Sequence, residues 1–191
     1  MRLMILDNRD SFTYNIAESF RKIGVEDIQI FNSSSFSVEQ MAGFDRIILG
    51  PGPGLPEDHP LLFSLLESLK PQQSVLGICL GHEAIALHYG GQIRHLNRVF
   101  HGDEGVVQWK NAPDYLSNNI PDVFTAGLYH SWIVDEASLP EEIKVTALSD
   151  KGLIMGIKHV DLPLFGFQFH PESFITKFGL QLLSNWYNQS L

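Results

Sequence analysis

One stretch constrains the fold more than any other. A short apolar run ends at a glycine-flanked cysteine and continues at once as a helix pattern. Ser74 to Ile78 (SVLGI) is apolar and contains Val and Ile, as expected of a strand covered on both faces. Leu80 to Tyr89 (LGHEAIALHY) has apolar residues at helical positions and stops at Gly90-Gly91. Cys79 lies between them, with Gly77 and Gly81 nearby. Such a junction is a sharp strand-to-helix turn. Its glycines permit strain and let a substrate approach the backbone.

The same alternation runs through the first half of the chain. Residues 2–6 read as a strand, and 11–23 as a helix capped by Asp10 or Ser11 and ended by Gly24. Residues 28–31 and 45–49 read as strands, and 60–69 as a helix before Lys70-Pro71. Strands alternating with helices predict an α/β fold with a mostly parallel sheet and helices on both faces. From 92 to 166 short strands and turns predict a small antiparallel excursion. Residues 164–169 read as a further strand. Residues 174–187 read as a closing amphipathic helix, with Phe178, Trp186 and Tyr187 as core. With no repeat, low-complexity run or linker, residues 1–191 read as a single domain with a substantial core.

Three loops that follow predicted strands carry chemistry. Cys79, the only cysteine, sits before a helix N-terminus, where N–H groups and the helix dipole favour a thiolate. A buried, inert cysteine is the bland alternative. His170-Pro171-Glu172 follows the 164–169 strand. In extended chain the His and Glu side chains would share a side, and Glu172 would hold the imidazole of His170. Gly50-Pro51-Gly52-Pro53-Gly54 is a rigid loop with glycine N–H groups open to a ligand. Gly52 and Leu80 are thus candidate oxyanion donors. A Cys nucleophile, a His base and an orienting acid form one constellation. In open α/β sheets, ligands bind at the carboxyl ends of strands.

Composition excludes several other classes. Thirteen Lys and Arg against 22 Asp and Glu give a net charge of -9, which argues against nucleic acid or an anionic membrane as partner. No stretch is apolar enough to span a bilayer. One cysteine suits a reducing compartment, and residues 1–6 read as a strand rather than a signal peptide, so a cytoplasmic protein is expected. His82 and His88 are six apart, not the pair of a helical zinc site. The 50–54 loop lacks the Gly-Lys-Ser/Thr of a phosphate loop. No metal and no cofactor is expected.

These motifs, with Asp7-Asn8-Arg9-Asp10-Ser11-Phe12-Thr13, Pro56-Glu57-Asp58 and Tyr129-His130-Ser131, resemble the class I glutamine amidotransferases almost end to end. The opening segment resembles the branch that serves anthranilate synthase and aminodeoxychorismate synthase. The resemblance implies L-glutamine as substrate and glutamate and ammonia as products, the ammonia passing to a chorismate-using synthase subunit. It implies a catalytic triad of Cys79, His170 and Glu172, and an oxyanion held by Gly52 and Leu80. It places Gly54, Ser131 and Trp132 on the glutamine backbone groups. The chain departs from the family pattern at Glu83, usually Gln, and at Arg9, Leu128 and Trp132. Glu83 is expected to line the glutamine pocket, either paired with the substrate ammonium or protonated in imitation of an amide. A side chain pointing to solvent is the alternative. A non-catalytic scaffold and a stand-alone γ-glutamyl hydrolase are the competing readings of the whole chain.

Overall fold

Along the first strand, β1 (Leu3–Asp7), successive side chains go to opposite faces, and both faces are apolar. Leu3 and Ile5 join one buried cluster, while Met4 and Leu6 join another. A strand covered on both sides belongs in a sheet interior, hence the unbroken apolar run. The computed structural model describes residues 1–189, without the side chain of residue 114. The last two positions of the expected 1–191 domain lie outside the described residues.

The remaining elements are α1 (Thr13–Lys22), β2 (Ile28–Asn32), β3 (Arg46–Leu49), α2 (Pro60–Glu67), β4 (Ser74–Ile78), α3 (Leu80–His88) and β5 (Ile93–His95). They continue with β6 (Asp103–Trp109), α4 (Asp114–Ser117), β7 (Val123–Leu128), β8 (Trp132–Val134), β9 (Ile143–Ser149), β10 (Ile154–His159), β11 (Leu164–Phe167) and α5 (Gly179–Asn188). The main sheet runs β2-β1-β3-β4-β11-β10-β9-β6-β7. From β2 to β11 every neighbour is parallel. Beyond β11 the pairings are antiparallel. The excursion expected within 92–166 therefore extends the same sheet, and β5 and β8 form a separate antiparallel pair. Residues of α1 and α5 pack in the cluster of Leu3 and Ile5. Those of α2 and α3 pack with Met4 and Leu6, so helices cover both faces.

Three boundaries near the site differ from expectation. Helix α1 starts at Thr13, and no side chain caps it. Asp10 and Asp7 instead organise the loop before it. Asp10 Oδ1 accepts from the Phe12 N–H, and Asp7 Oδ1 accepts from the N–H groups of Arg9 and Asp10 and from the Thr13 hydroxyl. Strand β11 stops at Phe167, and α5 starts only at Gly179. The intervening chain is taken up by successive turns, with Ser173 N–H bonded to His170 O, Thr176 N–H to Ser173 O and Gly179 N–H to Thr176 O. A Cβ at Gly179 would collide with the Pro171 carbonyl, so the start of α5 packs directly on this turned segment.

Candidate active site

The parallel pairing of β4 and β11 places Phe167 opposite Ile78. Cys79 is the next residue after Ile78, and its N–H bonds the Phe167 carbonyl at 2.8 Å. The chain then reverses into α3 with Cys79 at φ 51°, ψ −101°, a conformation that costs about 1–3 kcal/mol for a residue with a Cβ. Two glycines make the turn sterically possible. A Cβ at Gly77 would strike the backbone of Gly81, and one at Gly81 would strike the Leu49 carbonyl. Any larger residue at either place would drive α3 away from β3 and β4.

His170 lies past the end of β11 and is 2% exposed. Its Nδ1 is 2.7 Å from Glu172 Oε1. The carboxylate accepts, so Nδ1 carries the hydrogen and Nε2 is left as the free, basic nitrogen. Nε2 is buried with no partner among the described residues. The expected pairing is present, but its backbone basis differs. Residues 170–173 form a turn closed by Ser173 N–H to His170 O, with Pro171 at the position proline favours. The two side chains meet across that turn rather than along extended chain.

The imidazole is boxed by two rings, Phe12 at 5.2 Å and Tyr129 at 4.9 Å between centroids. Thr176 fixes the backbone beneath it. Its hydroxyl donates to the His170 carbonyl at 2.6 Å and accepts from the Gly127 N–H at 3.0 Å. Gly127 O in turn takes the His170 N–H. Sequence reasoning assigned no role to Phe12, Tyr129 or Thr176. The first two stand in motifs that could have pointed to them, while Thr176 has no local signal.

The 50–54 loop stands beside the Cys79 turn. Asn8, fully buried after β1, donates Nδ2–H to the Gly50 carbonyl at 3.0 Å. A Cβ at Gly52 would come within 2.7 Å of both Asn8 Cβ and Leu80 Cδ2, so Gly52 and Leu80 are immediate neighbours. Gly54, at φ +78°, faces Asp58 on the exposed side of the loop. Ser131 gives its carbonyl to the Leu96 N–H, and the half-buried Trp132 ring meets His95 edge-on at 5.1 Å. The Trp132 carbonyl accepts from His130 Nδ1 at 2.8 Å. Burial lowers His130 to about 4, with the nearby His170 contributing in the same direction, so its ring is neutral. His82 is also buried, is lowered to about 3 chiefly by that burial, and packs on Gly166 of β11.

Electrostatics around the thiol differ from the sequence expectation. Burial comes first, then the charges of Glu83, Asp10 and Glu172, and together they hold the Cys79 thiol well above its ordinary value. The Leu80 N–H pulls the other way but does not win. Glu83 does not point to solvent. It is 3% exposed, and its Oε1 accepts from Gln168 Nε2 at 2.9 Å.

No helix among the described residues is long and apolar enough to cross a membrane. The profile of the class-I glutamine amidotransferases matches residues 4–190. The anthranilate synthase component 2 of Saccharolobus solfataricus is 38% identical over 191 residues, covering 97% of each chain. The aminodeoxychorismate synthase component 2 of Klebsiella aerogenes is 35% identical over 189 residues, covering 98% of this chain and 100% of that one. Among solved structures, a Thermoplasma acidophilum protein superposes with TM-score 0.86 at 22% identity, over 97% of this chain and 92% of the other. A glutamine amidotransferase from Thermotoga maritima superposes with TM-score 0.70 at 19% identity, over 90% of this chain and 76% of the other. With the fold, the position of Cys79 at the end of β4 and these matches taken together, the chain belongs to the class-I glutamine amidotransferase family.

Proposed function

We propose that this chain is a glutaminase component that hydrolyses L-glutamine to glutamate and ammonia and delivers the ammonia to a chorismate-using synthase subunit. The observation that carries the reading is the 2.7 Å bond between His170 and Glu172, in a buried turn one strand away from Cys79. Cys79 Sγ attacks the side-chain amide carbon of glutamine. His170 Nε2 takes the thiol proton as the attack proceeds, so a thiol held above its ordinary value can still serve. Glu172 holds the Nδ1–H tautomer and stabilises the imidazolium. The N–H groups of Gly52 and Leu80 receive the oxyanion. His170 then returns the proton to the departing ammonia. It next activates a water, which cleaves the thioester and releases glutamate.

The backbones of Ser131 and Trp132, with Gly54, grip the amino and carboxylate groups of glutamine, and Glu83 lies along the same pocket. The relatives named above point to a hetero-oligomer with a synthase subunit that makes anthranilate or 4-amino-4-deoxychorismate. We place the chain in the cytoplasm, acting as one domain over residues 1–191.

The test pairs the chain with its cognate synthase subunit and chorismate. Cys79→Ser should lower glutamine-dependent synthesis by about three orders of magnitude or more, because the alcohol ionises far less readily than the thiol. Synthesis from ammonium salt at raised pH should persist. Near wild-type turnover of glutamine by Cys79→Ser would refute the nucleophile. Glutaminase rates that do not change when the synthase subunit is added would refute the partnership.

A further inference from the structure

The carboxyl of Glu83 reaches Cys79 through one intermediate group. Gln168, itself fully buried, directs its amide nitrogen both to Glu83 Oε1 at 2.9 Å and toward Cys79 Sγ at 3.8 Å. The Gln168 carbonyl oxygen is buried with no partner among the described residues, so among these only Glu83 and the thiol hold this amide at its polar end. The backbone beneath is pinned by the Gln168 N–H to Met155 O. A second backbone bond, Glu83 N–H to Cys79 O, ties Glu83 in the first turn of α3 to Cys79 just before it. Two groups that can each become negative thus sit in a nearly water-free space, bridged by one neutral donor.

We propose that Glu83 is a positioning residue that controls the Cys79 thiolate through the Gln168 carboxamide, so that the two acids share one negative charge. Neutral Glu83 matches an amide in shape and leaves the second Gln168 N–H to steady a thiolate. Ionised Glu83 claims the donor and repels the sulfur. Like charges at such range shift an ionisation by about one unit or more.

The surroundings favour the neutral carboxyl. Burial raises Glu83 to about 7, the Gln168 hydrogen bond opposes this, and Glu57 from the Pro56–Asp58 turn adds to the rise. Asp10 and Glu172 are the other charges acting on Cys79. Of the elements packed against α3, strands β4, β8 and β11 bring no ionisable side chain, and β3 brings only Arg46, at the strand end remote from Leu49. The Pro56–Asp58 turn brings Asp58 beside Glu57, helix α2 brings Glu67, whose charge acts on His88, and β5 brings the exposed Arg94 and His95.

The inference deepens the proposed glutaminase reading, but the thiol can be examined without it. Cys79 is the only cysteine, so the rate of iodoacetamide alkylation against pH reports on it alone. In the wild type, the rate should climb less than tenfold per pH unit between about pH 6 and 8, as Glu83 ionises. Glu83→Gln should climb without that flattening. The variant should equal the wild type at pH 5.5 and react about tenfold faster at pH 8. A wild-type profile following a single ionisation overturns the proposal, whatever the variant does. Parallel profiles in a folded Glu83→Gln protein overturn it as well. Glutamine turnover enters neither readout, so failure of the glutaminase reading would be recorded separately.

Discussion

The turns after β4 and β11 lie side by side and are built on different principles. The Cys79 turn is made by excluding volume. Gly77 and Gly81 have no Cβ because neighbouring backbone already occupies that space, and the chain accepts a strained conformation at Cys79. The His170 turn contains no glycine. It is held by hydrogen bonds from the Thr176 hydroxyl and the Ser173 N–H, by the bond that His170 gives to Glu172, and by the rings of Phe12 and Tyr129. A sterically built turn gives its residue one position. A hydrogen-bonded turn sets both the position and the protonation state of its residue. That division suits a nucleophile on the first and a base on the second.

Four experiments would break or sharpen this contrast. The largest expected effect is chemical and belongs to the hydrogen-bonded turn. Glu172→Gln should keep the fold but present an amide where Nδ1–H needs a carboxylate, lowering kcat for glutamine by about two to four orders of magnitude. A kcat within threefold of wild type would remove Glu172 from the mechanism. Next comes the steric turn. Gly81→Ala forces a methyl into the Leu49 carbonyl and should destabilise the protein by about 3 kcal/mol in denaturant unfolding. A loss under about 1 kcal/mol would mean that the turn has room to relax.

Thr176→Val comes third. It strands the Gly127 N–H and leaves the His170 carbonyl with the Ser173 N–H alone, while nearly keeping shape, at a stability loss of about 1–3 kcal/mol. It should lower kcat but leave Cys79 alkylation alone. A changed alkylation rate would show that the two turns are not separable.

The smallest effect is the pH dependence of stability. His82 and His130 fall to about 3 and 4 in the folded protein, from 6.5. Their stabilising contribution is complete above about pH 6.5. It is lost as pH falls and the unfolded chain takes up protons that the folded chain refuses. Glu83 has the opposite sign. Raised from 4.5 to about 7, it stabilises fully below pH 4.5, and its contribution is lost as pH rises through 7. Between pH 4.5 and 6.5, two protons taken up by the unfolded state oppose one taken up by the folded state. The net is one proton, or at most about 1.4 kcal/mol per pH unit. Glu83→Gln removes the opposing proton and should steepen the acid loss toward twice that slope. Chemical denaturation from pH 4.5 to 6.5 measures it, and an unchanged slope would mean that Glu83 is ionised in the folded state.

Much of this was legible in the chain. Unbroken apolar runs such as 3–6 and 74–78 can only be buried on two faces, which requires a parallel sheet covered by helices. Glycines at 77 and 81 around a lone cysteine announce a sharp turn before any coordinate is known, because only a missing Cβ allows the crossing. The pairing of His170 with Glu172 was also legible, although its turn was not.

Tertiary structure alone decided the rest. The β11 strand enters beside β4 after some eighty residues of intervening chain, and no local pattern states which strand is its neighbour. Thr176 matters because Gly127 comes back to meet it, and Phe12 because α1 brings the opening loop over His170. The charge of Glu83 and the resistance of Cys79 to ionisation follow from burial, which belongs to the packed molecule. Sequence spacing determines local backbone sterics. Which groups share a water-free space depends on long-range packing, and that packing sets the chemistry of the site.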